Sequence, residues 1–334
     1  MASNPKIFFL HTGQETFVRL DHDLLAAFAN VDDFHARRKF PLNFARYWRG
    51  IAAAGLVFCW FAGWNSLWAL WIAKILRKPS VLVIGGYDVA NLPETDYGHQ
   101  RFTWTRWISR LAMRLANVLL PFSWHSQKEA VENCGMDAAR MNMQYIGVPD
   151  PFGGLPEYPK ERLALTVGNL EWPNLKRKGL EAFVRVAKEL PDVQFVLVGA
   201  WKDDAIGYLR SLASPNVLFT DRVSDEELLD YYRRASVYVQ ASLHEGFGLS
   251  VAEAMLAGCI PVVTPNGSLP EVVGECGVYA RSPAPHDIAA AIQTALQVPA
   301  QLGQQARERI LREFPLARRR DALLALVNGL SWER

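Results

Sequence analysis

Residues 236–263, "SVYVQASLHEGFGLSVAEAMLAGCIPVV", decide the fold class. "SVYVQAS" is β-branched and aromatic and reads as a strand. The glycine-rich "HEGFG" breaks it, a small-residue helix starts near Leu249, and "IPVV" is the next strand. Strand, helix and strand in so short a run form a parallel βαβ unit. The loop lies at a strand's carboxyl end and opens a helix N-terminus. Free amides and the positive end of the helix dipole attract anions there. Gly246 and Gly248 let the backbone come close to a ligand. Glu245 precedes the turn, and Glu253, eight positions on, tilts back toward the helix N-terminus. Both carboxylates can border one small cavity. A carboxylate beside a phosphate repels it, so the natural partners are hydroxyls, with a diphosphate on the amides between. A surface acid plus a helix-start Glu answering the dipole would explain Glu253 alone.

The same rhythm runs through the second half. Strands read as "LALTVGN", "VQFVLVG", "NVLFTD", "SVYVQAS", "IPVVTPN" and "GVYA". Helices are expected near 179–190, 204–213, 224–234, 249–257 and 285–297. The first half reads as the strand "KIFFLHT", then a turn and helix in "GQETFVRLDHDLLAAFANV". After these come "GLVFCWF", the helix "LWALWIAKIL", "SVLVIGG", a helix over 102–116, "ANVLLPFS", a helix near 125–134 and a last strand "MQYIGVPD". "GVPDPFGGLPEYP" (147–159) reads as an interdomain linker. The expectation is an α/β chain of two Rossmann-like, doubly wound parallel-sheet domains facing across a crevice. Ligands then lie at the carboxyl ends of the strands. One more amphipathic helix, "FPLARRRDALLALVNGL", follows the second sheet.

The chain has 334 residues, half of them hydrophobic, enough for two packed cores. Formal net charge is +2, which does not call for a nucleic-acid partner. Base is concentrated in the first half, around Arg37, Arg38, Lys39, Arg46 and Arg49. That cluster is either a solvated face or a contact with an anionic substrate or membrane surface. Cys59, Cys134, Cys259 and Cys276 match no zinc spacing and read as buried free thiols of a cytoplasmic protein. The N-terminus has no signal-peptide pattern. Gly50–Ala73 carries no charge and has the length of a membrane span. The competing reading is the strand "GLVFCWF", a break at "GWNS" with Asn65 or Ser66 as N-cap, and the helix "LWALWIAKILRK" stopped by Pro79. It keeps the strand–helix rhythm that a span would break. Peripheral attachment through Trp60, Trp64, Trp68 and Trp71 stays open.

A second glycine-bearing element is "TVGNLEWPNLKRKGLEAF" (166–183). Its strand ends at Gly168, and Lys176, Arg177 and Lys178 stand ahead of a helix starting near Gly179. Cations there oppose the helix dipole but can neutralise a phosphate. The other reading is a solvated charge run. The Asp pair of "KDDA" (202–205) reads as a solvated loop.

These residues carry a resemblance. "LHEGFGLSVAEAM" with "AGCIPVVTPNGSLPEVVGECGVYA" resembles the donor-site signature of retaining family-4 glycosyltransferases of the GT-B fold, the glycosyl transferase group 1 family. "VGNL" with "RKGLEAF" is similar to that family's diphosphate-binding strand and Lys-Gly. "FTDRVSDEELLDYYRRASVYVQAS" resembles its base-lining segment, and "YIGVPDPF" the strand before its hinge. "IGGYDVANLPETDYG" (84–98) resembles the acceptor-side loop of polysaccharide-building members. The match runs in order over most of residues 80–280.

The resemblance implies an acceptor-binding domain over 1–150 and a nucleotide-sugar domain over 151–312. It implies that a C-terminal helix, 313–334, crosses back to the first domain. It implies transfer of a sugar, with retention, from a nucleoside-diphosphate sugar to a saccharide or lipid-linked acceptor, on or near the inner face of a membrane. No cofactor and no metal are implied. Glu253 would bind the ribose hydroxyls and Glu245 the sugar hydroxyls. Gly246 lies on the same loop, and the amides of Phe247, Gly248 and Leu249 would cradle sugar and phosphate. Lys178 would neutralise the leaving diphosphate. Arg222 and Val223 would lie near the base, and Gly13 would let the diphosphate approach the first domain. Gly86, Tyr87, Asp88 and His99 are the acceptor-side candidates. Two departures stand out. Asn169 takes the place of the family's usual phosphate-binding Arg, for which Arg177 or Lys176 could substitute. The usual acceptor-side His is absent, with His99 and His11 the nearest. A non-catalytic sugar-nucleotide binder and a nucleotide-sugar epimerase of the same fold are the rival readings.

Overall fold

The computed structural model describes residues 5–13, 15–36, 44–155 and 158–330. Arg37, Arg38 and Lys39 of the basic cluster lie outside them. The chain divides into two compact units. One holds residues up to Gly147 plus Leu316 onward; the other holds Val148–Pro315.

The first unit alternates strand and helix: β1 (Lys6–His11), α1 (Thr16–Ala26), β2 (Asn30–His35), α2 (Phe44–Ala53), β3 (Leu56–Trp60), α3 (Trp64–Ile75), β4 (Ser80–Ile84), α4 (Thr103–Leu115), β5 (Val118–Pro121) and α5 (Trp124–Glu132). All five strands are parallel, in the order β2-β1-β3-β4-β5. That is the flavodoxin-like order, whose topological switch lies between β1 and β3. β3 and β4 are buried along their whole length, as apolar runs covered on both faces require.

Four sequence readings change here. "NVDDFH" is the strand β2 and not the end of a helix. As the outermost strand it is half-exposed, so it lacks the apolar run that marks its neighbours. The helix α2 occupies part of the basic stretch, with Tyr47, Gly50 and Ile51 buried. "MQYIGVPD" is not a ladder strand. It runs beside β5 on two bonds, Asn142 N–H to Leu119 O at 2.9 Å and Gln144 N–H to Pro121 O at 2.9 Å. The uncharged stretch from Gly50 resolves into the end of α2, β3 and α3. The N-cap of α3 is Gly63, not Asn65 or Ser66, whose side chains turn inward to Tyr47 and to the Phe61 carbonyl. Among the described residues no helix is long and apolar enough to cross a membrane.

The second unit runs β6 (Glu161–Val167), α6 (Trp172–Arg177), α7 (Leu180–Val186), β7 (Gln194–Val198), α8 (Ala205–Leu212), β8 (Val217–Thr220), α9 (Asp225–Arg234), β9 (Ala235–Gln240), α10 (Leu249–Leu256), β10 (Ile260–Val263), α11 (Leu269–Val273), β11 (Val278–Tyr279), α12 (Pro285–Ala295) and α13 (Gln301–Glu313). Its sheet order is β11-β10-β9-β6-β7-β8, all parallel. Counted from the first strand of this unit, that is 3-2-1-4-5-6, with the switch between β6 and β9. Its apolar core includes Leu180, Phe183, Phe195 and Leu197, together with Val237, Val262, Ile288 and Ile292. The helix α14 (Leu316–Leu330) belongs to the first unit. There Arg319 donates to both carboxylate oxygens of buried Asp21, at 2.6 and 2.9 Å, and to the Gln144 carbonyl.

Candidate functional site

In the second unit the switch point sets one pair of loops side by side, the one after β6 and the one after β9. The first carries Gly168 and Asn169, the second His244, Glu245, Gly246, Phe247 and Gly248. A short helix the sequence reading missed, α6, fills the first loop. Lys176 and Arg177 therefore sit in the last turn of α6, where cations complement a helix dipole, and not ahead of α7 where they would oppose it. Lys178 is the C-cap residue. Gly179 follows with φ +70°, a left-handed value, and a Cβ there would meet the Ala241 carbonyl oxygen at 2.4 Å. Only glycine lets the start of α7 pass this close to the end of β9.

That close passage brings the two loops together. Leu243 N–H donates to the Arg177 carbonyl at 2.8 Å. The Lys178 side chain lies across Gly168, and its Nζ stands 3.8 Å from Glu245 Oε1. The other Glu245 oxygen, Oε2, is buried and has no hydrogen-bond partner among the described residues. A buried carboxylate oxygen without a donor is costly in a finished core and calls for a ligand hydroxyl. The backbone of Glu245 is held firmly. Its carbonyl accepts from the Ser268 amide and hydroxyl at 3.0 and 3.1 Å, and Gly267, at φ +62°, packs directly on it. Asn266 and Thr264 both donate to the Ser242 carbonyl behind. The sequence reading quoted this 264–268 loop within the donor-site signature but gave its residues no role.

Gly248, at φ +94°, is the N-cap of α10, and no side chain caps the helix. The amides of the helix start are thus left to a ligand. Phe247 is buried, with its ring against Phe314 at 5.5 Å, so it offers the site its backbone only. Glu253 lies one turn into α10 and accepts a hydrogen bond at 3.0 Å from Tyr232, a partner on α9 that the sequence reading missed. Burial pushes the Glu253 carboxyl up to about 7, against the pull of the Tyr232 hydrogen bond.

The other donor-side candidates are scattered. Arg177 is buried and donates to Asn174 Oδ1 at 2.5 Å, while Lys176 and Asn169 are exposed. Arg222 and Val223 sit in the loop after β8, two strands from β6. Asp203 and Asp204, the Asp pair of "KDDA", accept from the backbone and indole N–H groups of Trp172 and tie down α6.

In the first unit Gly13 follows β1, beside the switch point, with the Glu15 carboxylate folded against it. At the neighbouring corner, after β3, Phe61 holds φ +63° without being glycine. Sequence reasoning did not flag it, since strain of this kind leaves no compositional signal. Gly86 is left-handed at the turn after β4. Asp88 faces inward, accepting from Ala62 N–H and Gly85 N–H at 2.8 and 2.9 Å, and burial raises it to about 7. Tyr87 is exposed and packs edge-on against His99 and Tyr97. His99 Nδ1 lies 3.1 Å from the Ala62 carbonyl, which can only accept, so Nδ1 carries the proton and Nε2 holds a lone pair. Burial lowers its pKa, which favours the neutral ring, against the pull of the Ala62 carbonyl.

Residues 161–298 match the sequence profile of the family described as glycosyl transferases group 1. The O-antigen chain mannosyltransferase B of Escherichia coli is 33% identical over 180 residues, covering 51% of this chain and 42% of that protein. The MMP alpha-(1->4)-mannosyltransferase of Mycolicibacterium hassiacum is 46% identical over 66 residues, 20% of this chain and 16% of that protein. The chain thus spans less than half the length of these curated relatives. Among solved structures, Anabaena HepE in complex with UDP and glucose superposes with a TM-score of 0.76 at 18% identity, covering 98% of this chain and all of that one. Sucrose-phosphate synthase from Thermosynechococcus elongatus gives 0.74 at 19%, covering 98% and 99%. The chain has the GT-B fold, and its second unit is similar to the glycosyl transferases group 1 family over residues 161–298.

Proposed function

We propose, from a GT-B fold whose residues 161–298 match the glycosyl transferases group 1 family, that this protein is a retaining, metal-independent glycosyltransferase. Its donor is a nucleoside-diphosphate sugar and its acceptor a saccharide or lipid-linked saccharide. The observation that carries this reading is the Lys178–Glu245 pair at the β6/β9 switch, with one buried Glu245 oxygen unpartnered beside the uncapped start of α10. In the proposed roles, Glu245 accepts from sugar hydroxyls and Glu253 from ribose hydroxyls. The amides of Phe247, Gly248 and Leu249 hold sugar and phosphate, and Lys178 neutralises the departing diphosphate. The bond from the anomeric carbon to the phosphate oxygen breaks, and the acceptor oxygen bonds to the same face of that carbon. The acceptor's proton passes to the leaving phosphate. Charge builds on that phosphate, so Lys178 acts where stabilisation lowers the barrier most. It also supplies the positive charge for which other transferases use a metal ion. On the first unit, the Tyr87–His99 surface receives the acceptor.

The mannosyltransferase relatives make a mannosyl donor the first to try. Peripheral membrane contact is part of the same reading. Trp60 is fully buried, but Trp48, Trp71, Trp104 and Trp107 are exposed on α2, α3 and α4, with Trp104 and Trp107 stacked at 66% and 56% exposure. Arginines and lysines on the same helices suit an anionic lipid surface.

The test is a panel of UDP-, GDP- and ADP-sugars with purified protein, with and without EDTA, scored for binding and for release of nucleoside diphosphate. Release of one diphosphate, unaffected by EDTA and abolished in Glu245→Ala, is the expected result. Binding without turnover under every acceptor tried would favour the silent binder. No binding at all would remove the donor-site reading.

A further inference from the structure

The second unit has a cavity of about 590 Å³ that the donor site does not use. It lies at the amino ends of β6, β9 and β10, where Lys160, Ser236 and Ile260 line it. The candidate donor loops leave the carboxyl ends of β6 and β9. A six-residue strand such as β9 separates the two ends by about 20 Å.

The lining has two characters. Leu155, Leu256, Ile260, Leu296 and Val298 make an apolar wall, with Phe152 behind. Lys160, Arg233 and Arg307 bring positive charge, and among the described residues no lining side chain is acidic. Arg307 spends its charge on Asp150, with a contact of 2.6 Å. Lys160 does not: its Nζ contacts two carbonyl oxygens, Ala257 at 2.8 Å and Tyr232 at 3.2 Å, and the Cys259 sulfur at 3.7 Å, with no carboxylate among them. Arg233 stacks its guanidinium over the exposed Tyr158 ring, 5.1 Å from the centroid. An ammonium held at the mouth of an apolar cavity by carbonyls and a sulfur, with no carboxylate, leaves its full charge for an incoming group. A cation rim on an apolar pocket of this size selects a molecule with one anionic end and an apolar body.

We propose that this cavity is a second ligand site, specific for an amphipathic anion: a phosphate or carboxylate head at Lys160, and an alkyl or aryl body against Leu256, Ile260 and Leu296. The site stands apart from the transferase reading, since it shares no residue with the donor loops. It does share an element with them. The helix α10 opens at Gly248 in the donor loop and ends at Leu256 and Ala257 in the cavity wall.

Dodecyl phosphate, titrated calorimetrically below its micelle concentration, tests this. One equivalent should bind saturably, and affinity should fall ~10-fold or more in Lys160→Gln. Ala300→Trp, which fills the rim without removing charge, should weaken it as well. Trp104→Ala/Trp107→Ala, on the exposed aromatic face of the first unit, and Lys188→Gln, an exposed lysine elsewhere on the second unit, should leave it unchanged. Equal binding of dodecanol would overturn the anion selectivity. Several equivalents with no effect of the cavity variants, loss through the Trp variants instead, or no saturable binding would each overturn the site. Matching melting curves of the variants exclude misfolding as the cause of a loss.

Discussion

Glu253 gives the sharpest test of how the second unit is built. Its carboxyl keeps a proton up to about pH 7, against an ordinary value of 4.5 in an unfolded chain. Burial is the cause, and the Tyr232 hydroxyl offsets it only in part. The sign follows from linkage. The folded state binds the proton more tightly, so stability is intact below pH 4.5 and is lost as pH rises through about 7. A shift of this size corresponds to roughly 3 kcal/mol. Glu253→Gln keeps an oxygen for Tyr232 and cannot ionise. The variant should match the wild type near pH 4.5 and exceed it by up to about 3 kcal/mol at pH 8. For a unit of this size that raises the melting temperature by about 6–12 °C. Scanning calorimetry of both proteins from pH 4.5 to 9 reads the difference directly. Under the proposed function the ionised carboxylate is what ribose hydroxyls bind. Nucleotide binding near pH 6.5 should then release a proton in the wild type and none in the variant. Parallel stability curves across the pH range would refute the argument, because they would mean that Glu253 titrates like an exposed acid.

The remaining predictions concern packing and surface. Gly179→Ala should cost roughly 2–4 kcal/mol in urea unfolding, since it combines a left-handed φ with a Cβ pressed on the Ala241 carbonyl. Asp21→Ala should destabilise the first unit by about 3–5 kcal/mol, because it strands buried Arg319; replacing both residues with apolar ones should recover much of the loss. Lys178→Met should lower kcat by about 10²–10³ with a smaller change in donor affinity, measured by diphosphate release. Trp104→Ala/Trp107→Ala should abolish co-sedimentation with vesicles containing anionic lipid while leaving the fold unchanged by circular dichroism.

What the sequence discloses here depends on how far apart in the chain the cooperating residues lie. Strands buried on both faces, such as β3 and β4, announce themselves as uninterrupted apolar runs, because the environment on each side is the same. The edge strand β2 does not: one flank meets solvent, and "NVDDFH" looks like loop. The short helix α6 hides for a different reason. Its six residues include Pro173 and Asn174, and it is held by bonds from Asp203 and Asp204, thirty residues away. Local propensity carries no trace of such support.

The candidate site divides in the same way. Gly248 of "HEGFG" and Gly179 of "RKG" are legible because each meets a requirement of its own backbone, as their positive φ bears out. The meeting of Lys178 with Glu245 is not local at all. It exists because β9 returns to the far side of β6, and only at that reversal do two consecutive halves of a doubly wound sheet leave adjacent loops with no helix between them. Glu253 and Tyr232 show the limit. Each sits at an ordinary amphipathic position on its own helix, and neither spacing nor composition says that α9 will place a phenol against a carboxylate on α10. Sequence therefore marks the residues whose backbone must be unusual. The residues whose chemistry becomes unusual, through burial and a partner from another element, appear only when the sheet order is known.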